Sequence, residues 1–219
     1  FRQDIQGLRA LAVLLVALDH AHIGPFHGGF IGVDVFFVIS GFLITSHLLR
    51  DVERHGRISF SAFYARRIMR LIPAATVVLI ATAVAVVVFV PRLRWSQFGW
   101  DIVGAGTYSL NWLLAARSVD YLAEDAAASP VQHFWSLGVE EQFYIAWPLL
   151  LSGAFVFAAA RRGSARRAAF AVIAVVGAAS LAFALQRAAV GDVSAYFTTT
   201  TRLWELAAGA GAAIAIGRI

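Results

Sequence analysis

LIPAATVVLIATAVAVVVFV, residues 71–90, is twenty residues long and carries no charged side chain. An α-helix of that length rises about 30 Å, the thickness of a bilayer's hydrocarbon core. The stretch therefore reads as a membrane-spanning helix, and lipid rather than water becomes the solvent against which the rest must be read. The whole composition agrees. Of the 219 residues 60% are apolar and 14% charged, and the mean hydropathy is +0.74, far outside the range of a soluble globular domain.

Further apolar runs lie on either side, at residues 8–23, 30–49, 143–160 and 168–185, with one more from Leu203 onward. The fold class that follows is all-α, a polytopic transmembrane helix bundle. Eighteen basic against thirteen acidic residues give a net charge of +5. The basic residues are all arginines, and they sit in the gaps between apolar runs, which is a positive-inside pattern and not a nucleic-acid footprint. There is no cysteine, so disulfides, thiolate metal ligands and thiol nucleophiles are excluded. Arg9 and the apolar residues after it resemble a signal peptide, but Asp19, His20 and His22 stand where small residues would be needed for cleavage. No internal repeat, low-complexity segment or soluble domain shows within the 219 residues. The sequence opens on Phe1 and stops at Ile219 inside an unfinished apolar run, so a fragment is expected.

Residues 100–116 decide the topology. They are apolar but short, and they carry Asp101, Asn111 and several glycines. If they span, the arginine clusters at 50–70 and 161–167 face opposite compartments. If they re-enter or lie in the interface, both clusters face the cytoplasm and the acidic 120–125 loop faces out, as the charge rule favours.

An ionisable group inside a span costs about 2.5 kcal/mol or more, so each one is a candidate for function. In the first span Arg9 and His20 are eleven residues apart, close to three turns, and share a helix face. An imidazole at the outer end is suited to take a hydroxyl proton near neutral pH; a histidine wetted by headgroups is the plainer reading. Asp34 begins the second span and is expected to pair with a basic group of the first span, to help hold substrate, or to cap the interface. Ser40 and Gly41 are read as packing residues. Arg67 and Arg70 are three apart at a membrane mouth. Their guanidinium forks suit a diphosphate-bearing donor, although arginines here also satisfy the positive-inside rule. His133 precedes Glu140 and Glu141, two carboxylates entering a span. Glu140 and Tyr144 share a face with Trp147 nearby, a lining suited to sugar hydroxyls or to interfacial anchoring. Arg202 and Glu205 are three apart at another membrane entry and form a self-neutralising pair.

Five stretches, in series, carry a resemblance: the Arg9-to-His20 spacing, GVDVFFVISGFLI from Gly32, RRIMRLIP from Arg66, HFWSLGVEEQFYIAWP from His133, and TRLWELAAG from Thr201. Together they resemble the acyltransferase-three family, integral membrane enzymes that O-acylate polysaccharide, peptidoglycan and other cell-surface acceptors. The resemblance implies a domain of about ten helices, with residues 1–219 its N-terminal part and the C-terminal part missing. It makes His20 the essential histidine, Arg9 its motif partner, Arg67 and Arg70 the pair that engages the acyl donor, and Glu140 the acidic position of the fourth motif. Asp34, His133, Arg202 and Glu205 stand as supporting residues. Asp19 departs from the aromatic residue associated with the position before the histidine.

The expected function is transfer of an acyl group, acetyl by preference, from cytoplasmic acyl-coenzyme A to a hydroxyl of an extracytoplasmic glycan or glycolipid, in a multi-pass cell-membrane protein. Acyl-CoA is a co-substrate; no bound cofactor, metal or nucleic acid is expected. Family members often continue into an extracytoplasmic SGNH domain, so a fused one beyond Ile219 is an expectation too. The alternative is a transporter or flippase of a lipid-linked glycan, in which the same polar groups line a path without chemistry.

Overall fold

A computed structural model of the chain describes residues 3–21, 28–118 and 128–216. Eight α-helices appear among the described residues, and no strand. They are α1 (Gln3–His20), α2 (Ile31–His55), α3 (Phe60–Phe89), α4 (Trp95–Gly106), α5 (Leu110–Ser118), α6 (Phe134–Ala160), α7 (Ala165–Ala189) and α8 (Thr199–Ile216). Four of them, α2, α3, α6 and α7, are long and apolar enough to cross a membrane. The chain is an all-α, multi-pass membrane protein. The 120–125 loop lies outside the described residues.

Helices α3 and α6 both begin earlier than their apolar runs. α3 has 30 residues and starts at Phe60, about 45 Å at 1.5 Å per residue, so its first turns extend past a 30 Å apolar layer. Arg66, Arg67 and Arg70 ride on those turns, in helical register. α6 has 27 residues and starts at Phe134, which puts the whole SLGVEEQFY stretch on a helix. Lipid-facing character is plainest on α3, where Val77, Ile80, Val84 and Val88 are each more than half exposed. In water such a face would drive aggregation; in a bilayer it is solvated.

Residues 100–116 form two helices, not one. α4 spans 12 residues and α5 spans 9, about 18 Å and 14 Å, and neither crosses a bilayer core alone. The break falls at Tyr108, a non-glycine residue with φ of 55°. Below this hairpin, Ala105, Leu110, Val131 and Phe134 form a buried cluster against Leu79 of α3 and Leu113 of α5.

The chain divides into two compact units. One holds α1, α2, α6 from Trp147, α7 as far as Ala182, and α8 from Arg202; the other holds Ser59–Ala146, less the loop noted above, and Phe183–Thr201. In the first unit, contact between helices is made through glycine. A Cβ on Gly41 of α2 would lie 1.9 Å from the Leu206 carbonyl oxygen of α8, and one on Gly209 of α8 would lie 1.8 Å from that of Val38. No side chain fits either place, so the two backbones meet directly, as small residues permit in membrane bundles. The packing role expected of Gly41 is what it performs. Trp147 is also a core residue and not an interfacial anchor: it is buried, and its Nε1 donates to Thr45 Oγ1 at 2.8 Å.

Candidate functional site

In the first unit the glycine-mediated crossing of α2 and α8 sets Asp34 beside Arg202. Arg202 Nη1 lies 3.0 Å from Asp34 Oδ1 and 2.8 Å from Glu205 Oε1. Glu205 is 1% exposed, and its Oε2 has no hydrogen-bond partner among the described residues. The Arg202–Glu205 pair forms as expected, but it does not neutralise itself alone, since Asp34 adds a second carboxylate to the same guanidinium. Of the basic groups that the first span offers Asp34, Arg9 is not its partner, and the His20 side chain lies outside the described residues. The partner of Asp34 among the described residues is Arg202, whereas Arg9 lies over the Phe36 ring, 5.3 Å from its centroid. Geometry explains the pairing: the close approach of α8 at Gly41 and Gly209 delivers a guanidinium that sequence distance alone hides.

His20 is the last residue of α1; its side chain lies outside the described residues. The preceding Asp19 has a task of its own, since its Oδ1 accepts from the Gly28 N–H at 3.1 Å and ties the end of α1 to the start of the turn before α2.

In the second unit the two consecutive carboxylates of α6 serve different partners. Glu141 Oε1 accepts from Arg67 Nη2 at 2.6 Å. Glu140, buried, accepts through Oε2 from the Tyr144 hydroxyl at 3.2 Å, so the face shared by Glu140 and Tyr144 is realised. Tyr144 is the hub: the Arg67 guanidinium stacks on its ring, 3.4 Å from the centroid. Tyr64 of α3 anchors the same turn of α6, its hydroxyl donating to the carbonyl of Tyr144 at 3.4 Å and that of Ile145 at 3.2 Å. Arg67 is thus held by a carboxylate and an aromatic face, with 22% of its side chain exposed and its Nε buried without a partner. Arg70, one turn on, is exposed and makes no ion pair among the described residues. His133 lies at the surface before α6, its ring beside Phe134 and its carbonyl accepting from Ser136 Oγ at 3.2 Å.

Sequence reading did not foresee the polar network behind this arginine. Gln142 Nε2 donates to the Tyr108 carbonyl at 2.8 Å and to Asn111 Oδ1 at 2.9 Å, and its Oε1 accepts from Trp112 Nε1 at 3.1 Å and Thr199 Oγ1 at 2.5 Å. Asn111 Nδ2 in turn donates to the Phe197 carbonyl at 3.2 Å and Thr199 Oγ1 at 3.0 Å. Every polar group of both amides is used, which is the condition under which a buried network adds rigidity. The turn at Tyr108 is thereby tied to α6 next to Glu141. The hairpin is closed by a second unforeseen contact, Arg117 Nη1 to the fully buried Asp101 Oδ1 at 2.5 Å. The signal was present, since Asp101 and Asn111 stood out as polar in an apolar stretch, but their partners are not legible from spacing. Among the described residues, no group of three His, Asp or Glu side chains is placed to hold a metal ion.

The family model described as an acyltransferase domain matches residues 2–219, nearly the whole chain. The chain belongs to the acyltransferase-three family. This acyltransferase-three chain is 38% identical over 211 residues to the putative peptidoglycan O-acetyltransferase YrhL of Bacillus subtilis, covering 96% of the chain and 32% of that protein. It is 40% identical over 148 residues to the peptidoglycan O-acetyltransferase OatA of Listeria monocytogenes, covering 68% and 24%. A putative O-acetyltransferase of Staphylococcus aureus, SAS0844, is 40% identical over 155 residues, covering 69% and 25%. The chain spans about a third or less of the length of these relatives. No solved structure matches it.

Proposed function

We propose that the chain is the N-terminal part of a membrane O-acyltransferase domain that takes an acyl group, acetyl by preference, from cytoplasmic acyl-coenzyme A and passes it to a hydroxyl of a cell-envelope glycan or glycolipid. Membership of the family supports the reaction class, and the names of the peptidoglycan-acting relatives favour a glycan acceptor. The observation that carries the donor assignment is Arg67. It is a guanidinium clamped on the Tyr144 ring with a buried Nε still open, one turn from the exposed Arg70. Paired arginines with spare donors suit the phosphates of coenzyme A, because guanidinium forks bind phosphate through two parallel bonds.

The charge rule supports a sidedness in which the arginine loops at 50–70 and 161–167 share the cytoplasmic side, and α4 and α5, each too short to span alone, are compatible with it. In the reaction, a bond forms between the acceptor oxygen and the acyl carbonyl carbon and the carbon–sulfur bond breaks, while the hydroxyl proton ends on the departing thiolate. His20 serves at this junction, as base for the hydroxyl or as carrier of the acyl group, and Glu140, held by Tyr144, is the acidic position of its own motif. Placing thioester and hydroxyl together beside His20 supplies much of the rate.

The test is His20→Ala in the full-length protein. Transfer should fall by about 10²–10⁴-fold, the usual worth of acid–base help, while membrane insertion and coenzyme A binding stay near wild type. O-acylation at the normal rate by a variant expressed at wild-type level overturns the assignment. Glycan movement with no thioester cleavage in the wild-type protein favours a transporter instead.

A further inference from the structure

The Nε and Nη2 hydrogens of an arginine leave along one edge of the guanidinium plane, spaced for two oxygens of a single carboxylate or phosphate. On Arg67 that edge is half used: Nη2 donates to Glu141 Oε1 at 2.6 Å, and Nε is buried with no partner among the described residues. The arginine is not free to turn toward a better fit. Tyr144 lies against one face of it at 3.4 Å, and Tyr144 is itself fixed, by its hydroxyl on Glu140 and by Tyr64 on its backbone carbonyl. Glu141 is the partner that can move: its bond to Arg67 is its one hydrogen bond among the described residues, whereas Arg67 is also held by the Tyr144 ring. A carboxylate placed there only to neutralise Arg67 would be expected to close both bonds, because an unused buried donor is a penalty.

We propose that Glu141 is a stand-in for the donor phosphate. It keeps Arg67 oriented while the site is empty, and it gives way when a phosphate of the coenzyme A donor takes the whole Nε–Nη2 edge. The inference rests on the reading that Arg67 contacts the donor. It adds that donor binding is a competition between two anions for one guanidinium, with Arg70 available only to the incoming one. The diphosphate as a whole carries two negative charges and more acceptor oxygens than one carboxylate, and it alone can also engage Arg70, so it wins the exchange. The displaced Glu141 then stands as a like charge near the bound polyanion, which limits donor affinity and favours release of free coenzyme A after transfer.

The test is titration of coenzyme A into full-length protein in lipid nanodiscs at fixed ionic strength, comparing wild type, Glu141→Gln, Arg67→Gln and the double variant. Removing a competing, partly buried ion-pair partner should tighten coenzyme A binding about fivefold. Arg67→Gln should bind more weakly than wild type, and the double variant no more tightly than Arg67→Gln. If Glu141→Gln binds more weakly or equally while Arg67→Gln is weakened, Glu141 merely positions Arg67 and the stand-in role is overturned, with the donor site intact. Unchanged affinity in Arg67→Gln removes the donor reading itself. Should Glu141→Gln not fold, Glu141→Asp decides by the same sign, because its carboxylate is one methylene too short to keep the bond.

Discussion

Arg202 and Arg67 are the same residue type, each inside a motif stretch, and each paired with a carboxylate of a membrane helix, yet their surroundings differ in a way that separates holding from binding. Arg202 serves two carboxylates from two helices, is 14% exposed, and adjoins a Glu205 that is almost wholly enclosed. Arg67 serves one carboxylate, and its Nε is buried with no partner among the described residues, which is true of no Arg202 nitrogen. A guanidinium has five donors in a rigid fork, and what it can do for a ligand depends on how many the fold has already consumed. The Arg202 cluster is a tie between α2 and α8; the Arg67 cluster is a tie with capacity left over.

The largest effect expected from this contrast is on stability at Arg202. Arg202→Ala strands Asp34 and Glu205 as carboxylates without their cation, and breaking a buried pair from one side costs about 3–5 kcal/mol. A thermal-unfolding assay in detergent should show a large drop in midpoint or loss of monodisperse protein. A variant as stable as wild type breaks the comparison at its structural end.

At the other arginine the expected loss is in binding. Replacing both Arg67 and Arg70 by Gln removes two charge-assisted contacts of about 1.5–3 kcal/mol each, so coenzyme A affinity should fall by well over tenfold in protein that still inserts and folds. If the double variant unfolds as Arg202→Ala does, with no separate loss of affinity in its folded fraction, the two clusters are alike and the distinction fails.

A smaller effect sharpens the same line within the second unit, where Asn111 belongs to a network with no spare capacity. Asn111→Leu conserves volume but leaves the Gln142 amide, the Thr199 hydroxyl and the Phe197 carbonyl each short of a partner. About 1–3 kcal/mol of stability should go, with coenzyme A affinity little altered in the folded protein. A large affinity loss at unchanged stability means that the network belongs to the site and not to its support.

How much of this was legible in the sequence follows from what each feature depends on. The spanning helices depend on apolar length, which a single run such as residues 71–90 carries by itself. The register of Glu140 with Tyr144 was equally visible, because helical neighbours four apart meet wherever the helix forms. The division of residues 100–116 into α4 and α5 was not, because it turns on the Tyr108 carbonyl meeting Gln142, 34 positions away. Glu141 escaped for a related reason. It was quoted as one of two adjacent acids, but which of them meets Arg67 across 74 positions is decided by the rotation of α6 against α3. Local periodicity reports which face a residue is on; it does not report what stands opposite.

The smallest effect is expected at a third arginine, Arg187, where the same ion pair is found with water in reach. Arg187 Nη2 pairs with Asp192, and Asp192 Oδ1 accepts from the Ser194 N–H at 2.9 Å, capping the short turn Val193–Tyr196. The Ser194 hydrogen bond, with Arg187 adding to it, holds the Asp192 carboxyl below the ordinary value of 3.8. A depressed pKa in the folded state means that the charged form stabilises this turn above the unfolded value, and that the contribution is lost as pH falls below it and through the folded one. With both partners partly exposed, solvent and salt screen the pair, so the change should be local and modest. The cysteine-free chain lets one fluorophore be placed at Val193→Cys to read the turn's mobility. Between pH 6 and 3 the probe should loosen only at the acid end, and Asp192→Asn should make it loose throughout and insensitive to pH. A wild-type profile that is flat across that range would show that the turn is held by something other than this carboxylate, and the ranking by spare and screened donors would then lose its lowest member.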